Sequence, residues 1–499
     1  MPSPRRVGAS LALGLTLALA SACGRADEKP DPTDEWDLEA LQDPETCAEC
    51  HPVHYREWLG SMHAYAGDDP VFRAMNARGQ RETDGALGDF CVACHAPVAV
   101  ALGLTEDGLE LDAVPQKHRG VTCWYCHQVD GIDSNHAGGT HNNPLTLAFD
   151  GLMRADVASP VTSPIHGAER SDLHSRDSLA SAAMCGSCHD IVTPAGAHIE
   201  RTYAEWLASF YSDVTPDDPD RPELYALTCN DCHMRRETAA IASYPGAPDD
   251  RDRHSHMFVG VDVAVSEFPD AELGPQLRAE QLAAIAEVRK NSLCASLCVR
   301  EDPDTGGAEV RVWLHNEAAG HSWPSGATPD RRAWLELVAR DQADAVVFES
   351  GVVDASTPIA ELDDPHLWLL RDRIFDAEGA ETHMFWEAAS YESELLEVPS
   401  EFGVAGHAQT WAERAYPLAS APSSVQMRVL LRAMGREVLE DLVASGDLDP
   451  AVLDRFDTFS IPPAELVWTP EAAEPSTGAI DYGTCVSSSP SCRPPALTP

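Results

Sequence analysis

The period of apolar and polar positions changes three times along this chain. Leu11 to Ala20 form a short apolar run behind Arg5 and Arg6, closed by the small residues Ala20, Ser21 and Ala22, which predicts a secretory signal over residues 1–22. No later stretch is apolar for long enough to span a bilayer. Residues 23–45 are acidic, hold prolines and show no apolar period, the pattern of a solvated tether. From 46 to 300 the chain is rich in Cys, His, Gly and Pro, with helical spacing in "HYREWLGSMHA", "RTYAEWLASFY" and "QLRAEQLAAIAEVRKNSLCASL". From 301 to 475 the period becomes that of strands, in "AEVRVWLHN", "RAWLELVAR", "AVVFESGVV" and "SVQMRVLLR", with one short helix in "REVLEDLVASG" ending at Gly446. Residues 476–499 read as a loop-like tail. The expected fold is multidomain α+β: a mainly helical, loop-rich domain, then a β-rich, sandwich-like one.

Length and charge narrow the function. The 499 residues exceed what one core organises, consistent with two or three domains. Asp and Glu number 81 against 35 Lys and Arg, a net charge of −46, so the basic footprint of a nucleic-acid binder is missing. An acidic surface suits an exported protein with basic redox partners. Cys23 directly follows the expected cleavage site and resembles the lipid-bearing cysteine of a bacterial lipoprotein, although Ala20 stands where Leu is usual. The alternative is ordinary cleavage leaving a terminal thiol.

The chemistry lies in a repeated unit, C-x-x-C-H. It occurs at Cys47, Cys50 and His51, at Cys91, Cys94 and His95, at Cys123, Cys126 and His127, at Cys185, Cys188 and His189, and at Cys229, Cys232 and His233. Two thiols at this spacing can bond the two vinyl groups on one edge of a haem, with the next histidine falling under the iron as proximal ligand. Zinc sites use such pairs in twos and do not require His after every second Cys, and five is odd. A thioredoxin-like pair would occur once, inside a βαβ unit. Five covalently bound haem c groups are therefore expected, which makes the first domain a pentahaem domain.

Fifteen cysteines less these ten and Cys23 leave Cys294, Cys298, Cys485 and Cys492, enough for two disulfides in an oxidising compartment. The local pairing joins Cys485 to Cys492 across "VSSSPS" and Cys294 to Cys298, the second being constrained by a four-residue spacing on a helix.

What fills the sixth position of each iron decides whether it only carries electrons. Twenty histidines less five proximal ones are more than enough. On one helix His63 would lie about 18 Å from His51 at a rise of 1.5 Å per residue, so it should serve a neighbouring haem. His136 and His141 follow the third motif, and His166 and His174 precede the fourth, His174 being carried as the candidate. His198 follows the fourth. His254 and His256 follow the fifth, with His256 carried forward, and His321 lies on a Gly- and Pro-bounded turn of the β-rich region, where it would lock the domains together. His54 reads as a solvent or propionate contact and His315 as structural. Met62, Met234 and Met257 are alternative ligands that would raise the potential.

With "CAECHPVHYREWLGSMHA", "GVTCWYCH", "CGSCHDIVTPAGAHIERTYAEW" and "AGHSWPSGATPDRRAWLEL" in view, residues 46 to 340 resemble the multihaem c-type cytochromes of the c-554 / c-552 type. The resemblance implies a periplasmic or cell-surface electron carrier with closely packed, mostly bis-histidine haems and His63 as a distal ligand. It also implies that some relatives keep one five-coordinate iron. Related nitrite reductases carry a C-x-x-C-K motif, absent here, and hydroxylamine-oxidising relatives carry eight haems. The expected function is electron transfer between a redox donor and acceptor in the periplasm or at the outer membrane, with the membrane reached through a lipid anchor. The alternatives are a reductase or oxidase of a small nitrogen or sulfur compound at one five-coordinate haem, and a structural component of an electron conduit.

Overall fold

Residues 37–133, 139–157, 166–212, 227–243, 247–399, 411–476 and 480–492 are described by the structure, a computed structural model. Of the described residues 28% are helical and 25% lie in strands, so the mixed α and β character expected from the patterning is present. Cys23, His136 and the signal-like residues 1–22 lie outside the described residues.

Short helices dominate up to residue 291. Pro52–Leu59 opens on Pro52, whose fixed φ suits a first helical position. Pro70–Glu82 does the same with Pro70, while the Asp69 carboxylate accepts from the Val71 N–H at 3.0 Å. The first of these helices stops at Gly60, Ser61 is extended, and a separate turn runs Met62–Tyr65. His51 and His63 are therefore not on one helix. Gly274–Val288 is the longest helix of this half.

The patterning misleads at its C-terminal end. Helix gives way to a 3-10 turn at Arg289–Asn291 and then to the strand Leu293–Glu301, which carries Cys294 and Cys298. That strand lies third in a five-stranded sheet, between Ala308–Asn316 and Thr484–Ser487. Its odd positions, Leu293, Ala295, Leu297 and Val299, face Val310, Val312 and Leu314 on their own sheet and Leu335, Leu337, Met427 and Val429 from the second sheet in one apolar core. The second sheet is built on Arg332–Arg340 paired antiparallel with Ser424–Arg432. Two sheets facing across one core follow from strict alternation along each strand.

Cys294 and Cys298 point the other way, and the local disulfide pairing is corrected here. Cys294 is bridged to Cys492 and Cys298 to Cys485, with Cα separations of 5.3 and 4.0 Å. Four residues of strand span about 13 Å, beyond the reach of a single bridge. Residues 484–487 instead pair with the central strand, Cys485 opposite Cys298. The segment read as a loop-like tail thus contributes a strand.

One helix ties the β-rich part back to the helical part. Val438, Leu439 and Leu442 of Arg436–Ala444 pack on Val71, Ala74 and Met75 of Pro70–Glu82. Arg78 meets Asp441 at 2.7 Å, and Arg81 meets Asp447 at 2.5 Å. At the root of this helix the buried Arg332 guanidinium is hydrogen-bonded to the buried Glu437 carboxylate.

Candidate haem sites

Each C-x-x-C-H unit is one helical turn. The His51 N–H donates to the Cys47 carbonyl at 2.7 Å, His95 to Cys91 at 3.3 Å and His189 to Cys185 at 3.1 Å. The other two units lie inside Cys123–Gln128 and Cys229–His233. Residues three and four apart share a helix face, so each turn presents its cysteines and the imidazole on one side, Cys50 of the first motif being disulfide-bonded in this structure and the other motif cysteines free. The turns also cluster: the thiol of Cys47 lies close enough to that of Cys123 for each to shift the other's acidity, and so do Cys94 and Cys188, and Cys185 and Cys229. First and third motifs are thus neighbours, as are second and fourth, and fourth and fifth.

Four of the five motif histidines face a second histidine at a nearly constant distance. Ring centres are 6.4 Å apart for His51 and His166, 6.2 Å for His189 and His63, 6.3 Å for His127 and His256, and 6.3 Å for His233 and His321. Nitrogens about 2.0–2.1 Å from a shared metal, each about 1.1 Å from its ring centre, place two trans imidazoles about 6.2 Å apart.

Hydrogen bonds orient these rings. His51 Nδ1 is bonded to the Ile241 carbonyl at 2.7 Å, His127 Nδ1 to that of Arg154 at 2.5 Å, and His233 Nδ1 to that of Val259 at 2.8 Å. Their counterparts do the same, with His166 Nδ1 on Gly167, His256 on His254 and His321 on Ser322, each carbonyl at 2.9 Å. A carbonyl fixes the proton on Nδ1 and leaves Nε2 with the lone pair, the arrangement metal-bound histidines use. His189 differs: its Nδ1 faces the Glu200 carboxylate at 3.3 Å.

Burial supplies the matching charge state. It pushes His63 and His256 down to about 3 and His233 to about 4, with neighbouring imidazoles adding to the effect. These rings are neutral at physiological pH, the form that ligates. Burial acts against charge on His189 too, but the adjacent Glu200 carboxylate overrides it and lifts the ring to about 9.

The position of His63 is set by backbone crowding. The Val121 N–H donates to the His63 carbonyl at 2.9 Å. A Cβ on Gly120 would sit 2.7 Å from that carbonyl oxygen and 2.6 Å from the one of Ala64, so only glycine permits the approach.

Other sequence candidates are placed differently. His174 Nε2 is bonded to the Cys126 carbonyl at 2.8 Å, its Nδ1 has no hydrogen-bond partner, and its ring centre lies 5.7 Å from that of His127, whereas His166 stands 6.4 Å from His51. His198 Nε2 is bonded to the Asp190 carboxylate. His141 lies in a loop tied to two motifs, through Asn143 to the Ala93 carbonyl at 2.5 Å and through the Asn142 N–H to that of Asp190 at 3.1 Å. His54 sets its edge against both His51 and His256, at 5.7 and 4.9 Å. His95 stacks on Phe72 at 4.2 Å, with no histidine ring opposite it among the described residues. Two residues escaped the sequence reading: Glu200, found only once its hairpin is folded, and the buried His118, whose ring nitrogens have no hydrogen-bond partner.

Motifs, paired imidazoles and their carbonyl partners together fit covalently held haem. Residues 46–128 match the family model described as cytochrome c554 and c-prime. The crystal structure of a penta-heme cytochrome c552 from Thermochromatium tepidum shares the fold, with a TM-score of 0.55 and 20% identity over 86% of this chain and 98% of that one. No protein of curated function matches the chain.

Proposed function

We propose that this protein is an exported pentahaem c-type cytochrome that passes electrons between redox partners in the periplasm or at the outer membrane, held there by a lipid on Cys23. The observation that carries the reading is the set of four imidazole pairs at 6.2–6.4 Å, each joining a motif histidine to one far away in sequence or on another element. The ten motif cysteines would hold five haems, which supply one-electron Fe(III)/Fe(II) exchange. His51, His127, His189 and His233 would bind from the attachment side, with His166, His256, His63 and His321 opposite. Carbonyls on Nδ1 orient six of these rings, His51, His127, His233, His166, His256 and His321, while Glu200 takes that place at His189. Contacts among the motif thiols keep neighbouring sites together, as stepwise transfer requires. On this reading residues 46–300 form the haem domain and 301–475 the β-rich domain, with His321 linking them. A pyridine haemochrome assay on the purified chain should count five haems. A count of four or fewer, or zinc in their place, would remove the proposal.

A second reading, reduction or oxidation of a small nitrogen or sulfur compound, is favoured by one observation. His95 faces Phe72 and no described imidazole, so its iron would keep an open position. Binding of nitric oxide or cyanide to one haem of the oxidised protein, with a high-spin signal lost on addition, supports it; purely low-spin iron dismisses it.

A further inference from the structure

Resting on the pentahaem reading, we infer that Glu200 is a positioning residue that sets the haem at Cys185 and Cys188 to the lowest reduction potential of the four paired sites. The motif histidines of the other three pairs donate Nδ1–H to neutral backbone carbonyls, at Ile241, Arg154 and Val259. Among the described residues His189 is the motif histidine whose Nδ1 meets a carboxylate, Glu200 Oε1 at 3.3 Å. A carboxylate draws the ring proton toward itself and makes the imidazole more basic. A more basic axial ligand favours the higher charge on iron, and so ferric over ferrous.

The fold builds this contact. Ile191–Val192 and His198–Glu200 form a two-stranded hairpin directly after the motif, with Glu200 opposite Ile191. Gly196, at φ +92°, turns the chain, and the Thr193 N–H donates to the Ala197 carbonyl at 2.8 Å. Glu200 therefore returns beside the histidine it followed by eleven residues. Its side chain is 16% exposed, held by the hairpin, while that of His189 is 54% exposed. Arg331, the cation that acts on this neighbourhood, is bound through both terminal nitrogens to Asp262, at 3.2 and 2.8 Å. The guanidinium is thus occupied by its own partner, and Glu200 stays available to His189.

The test is a potentiometric titration of the holoprotein followed by visible absorption, with haem content counted in the same samples. Glu200→Gln keeps size and an acceptor but removes the charge. One couple should move upward by at least tenfold in its Fe(III)/Fe(II) equilibrium, about 59 mV for one electron, the others staying in place. Glu200→Asp should restore most of the shift. His63→Met, which changes the ligand opposite His189, gives an independent check on a chain with Glu200 intact. The couple it raises should be the lowest of the paired set. Unchanged potentials in a five-haem Glu200→Gln protein would overturn the inference, as would a uniform shift of all couples, or a His63→Met shift in a higher couple. A wild-type chain with fewer than five haems would instead overturn the pentahaem reading on which it rests.

Discussion

The two halves of this molecule are held together in different ways. From Leu293 onward, two sheets close over one continuous apolar core whose largest members, among them Trp323, Trp368 and Trp468, are nearly inaccessible to water. Up to Asn291 the buried apolar residues instead form separate small clusters, such as Phe72, Val92, Leu111 and Val114 around the second motif and Leu41, Trp124 and Tyr125 around the third. Between these clusters stand the imidazoles and thiols of the motifs, most of them partly buried. Burying polar rings without partners costs free energy, so that half is organised around groups the polypeptide does not itself provide. On the proposed reading, one half carries its core in its sequence and the other would complete its core with haem.

The strongest test of that contrast is to withhold haem attachment. Expressed without cytochrome maturation, the chain should lose its helical half almost entirely, with protease cleavage confined to residues before Asn291 and the strand signal in circular dichroism retained. Equal cleavage throughout would erase the distinction. Next in size is Arg332→Ala, which leaves the Glu437 carboxylate buried without its cation. It should cost about 3–5 kcal/mol in denaturant unfolding and free the helix Arg436–Ala444 from Pro70–Glu82. Replacing Cys298 and Cys485 together by serine should cost about 2–4 kcal/mol, read in the β-rich transition, while haem absorption stays the same.

A smaller effect concerns pH. Burial raises Asp330 from 3.8 to about 7, against the pull of Arg332 and Arg331. The native state holds this proton more tightly than the unfolded one, so its contribution is complete below 3.8 and is lost as pH rises through about 7. Asp330→Asn should therefore flatten the fall in stability between pH 5 and 8, measured by urea unfolding. An unchanged slope would place the titration elsewhere.

The same contrast explains what the sequence revealed. Haem attachment is local: two thiols and an imidazole on one turn are legible at Cys123 to His127 without any tertiary information. A distal ligand is a tertiary fact. His166 and His174 are eight residues apart and equally plausible on paper; in the fold His166 faces His51 at 6.4 Å, while His174 lies beside His127, which already faces His256 at 6.3 Å. His63 was reached by a helix argument that the break at Gly60 removes, yet its ring does face another motif, because Gly120 lets two backbones meet. Strands such as Arg332–Arg340 were plain from their alternation. "LCASLCVRE" was misread because a strand covered on both faces loses its period, and its apolar run continues the helix before it. The disulfides followed that error.

Electron paramagnetic resonance of the fully oxidised holoprotein at low temperature tests the central claim most directly, because spin state reports axial ligation haem by haem. Four haems should give the low-spin signals of bis-histidine coordination, and His166→Ala should convert one of them to high spin while His174→Ala converts none. High-spin iron at most sites in the wild type, or a His166→Ala spectrum identical to it, would contradict the pairing on which this reading stands.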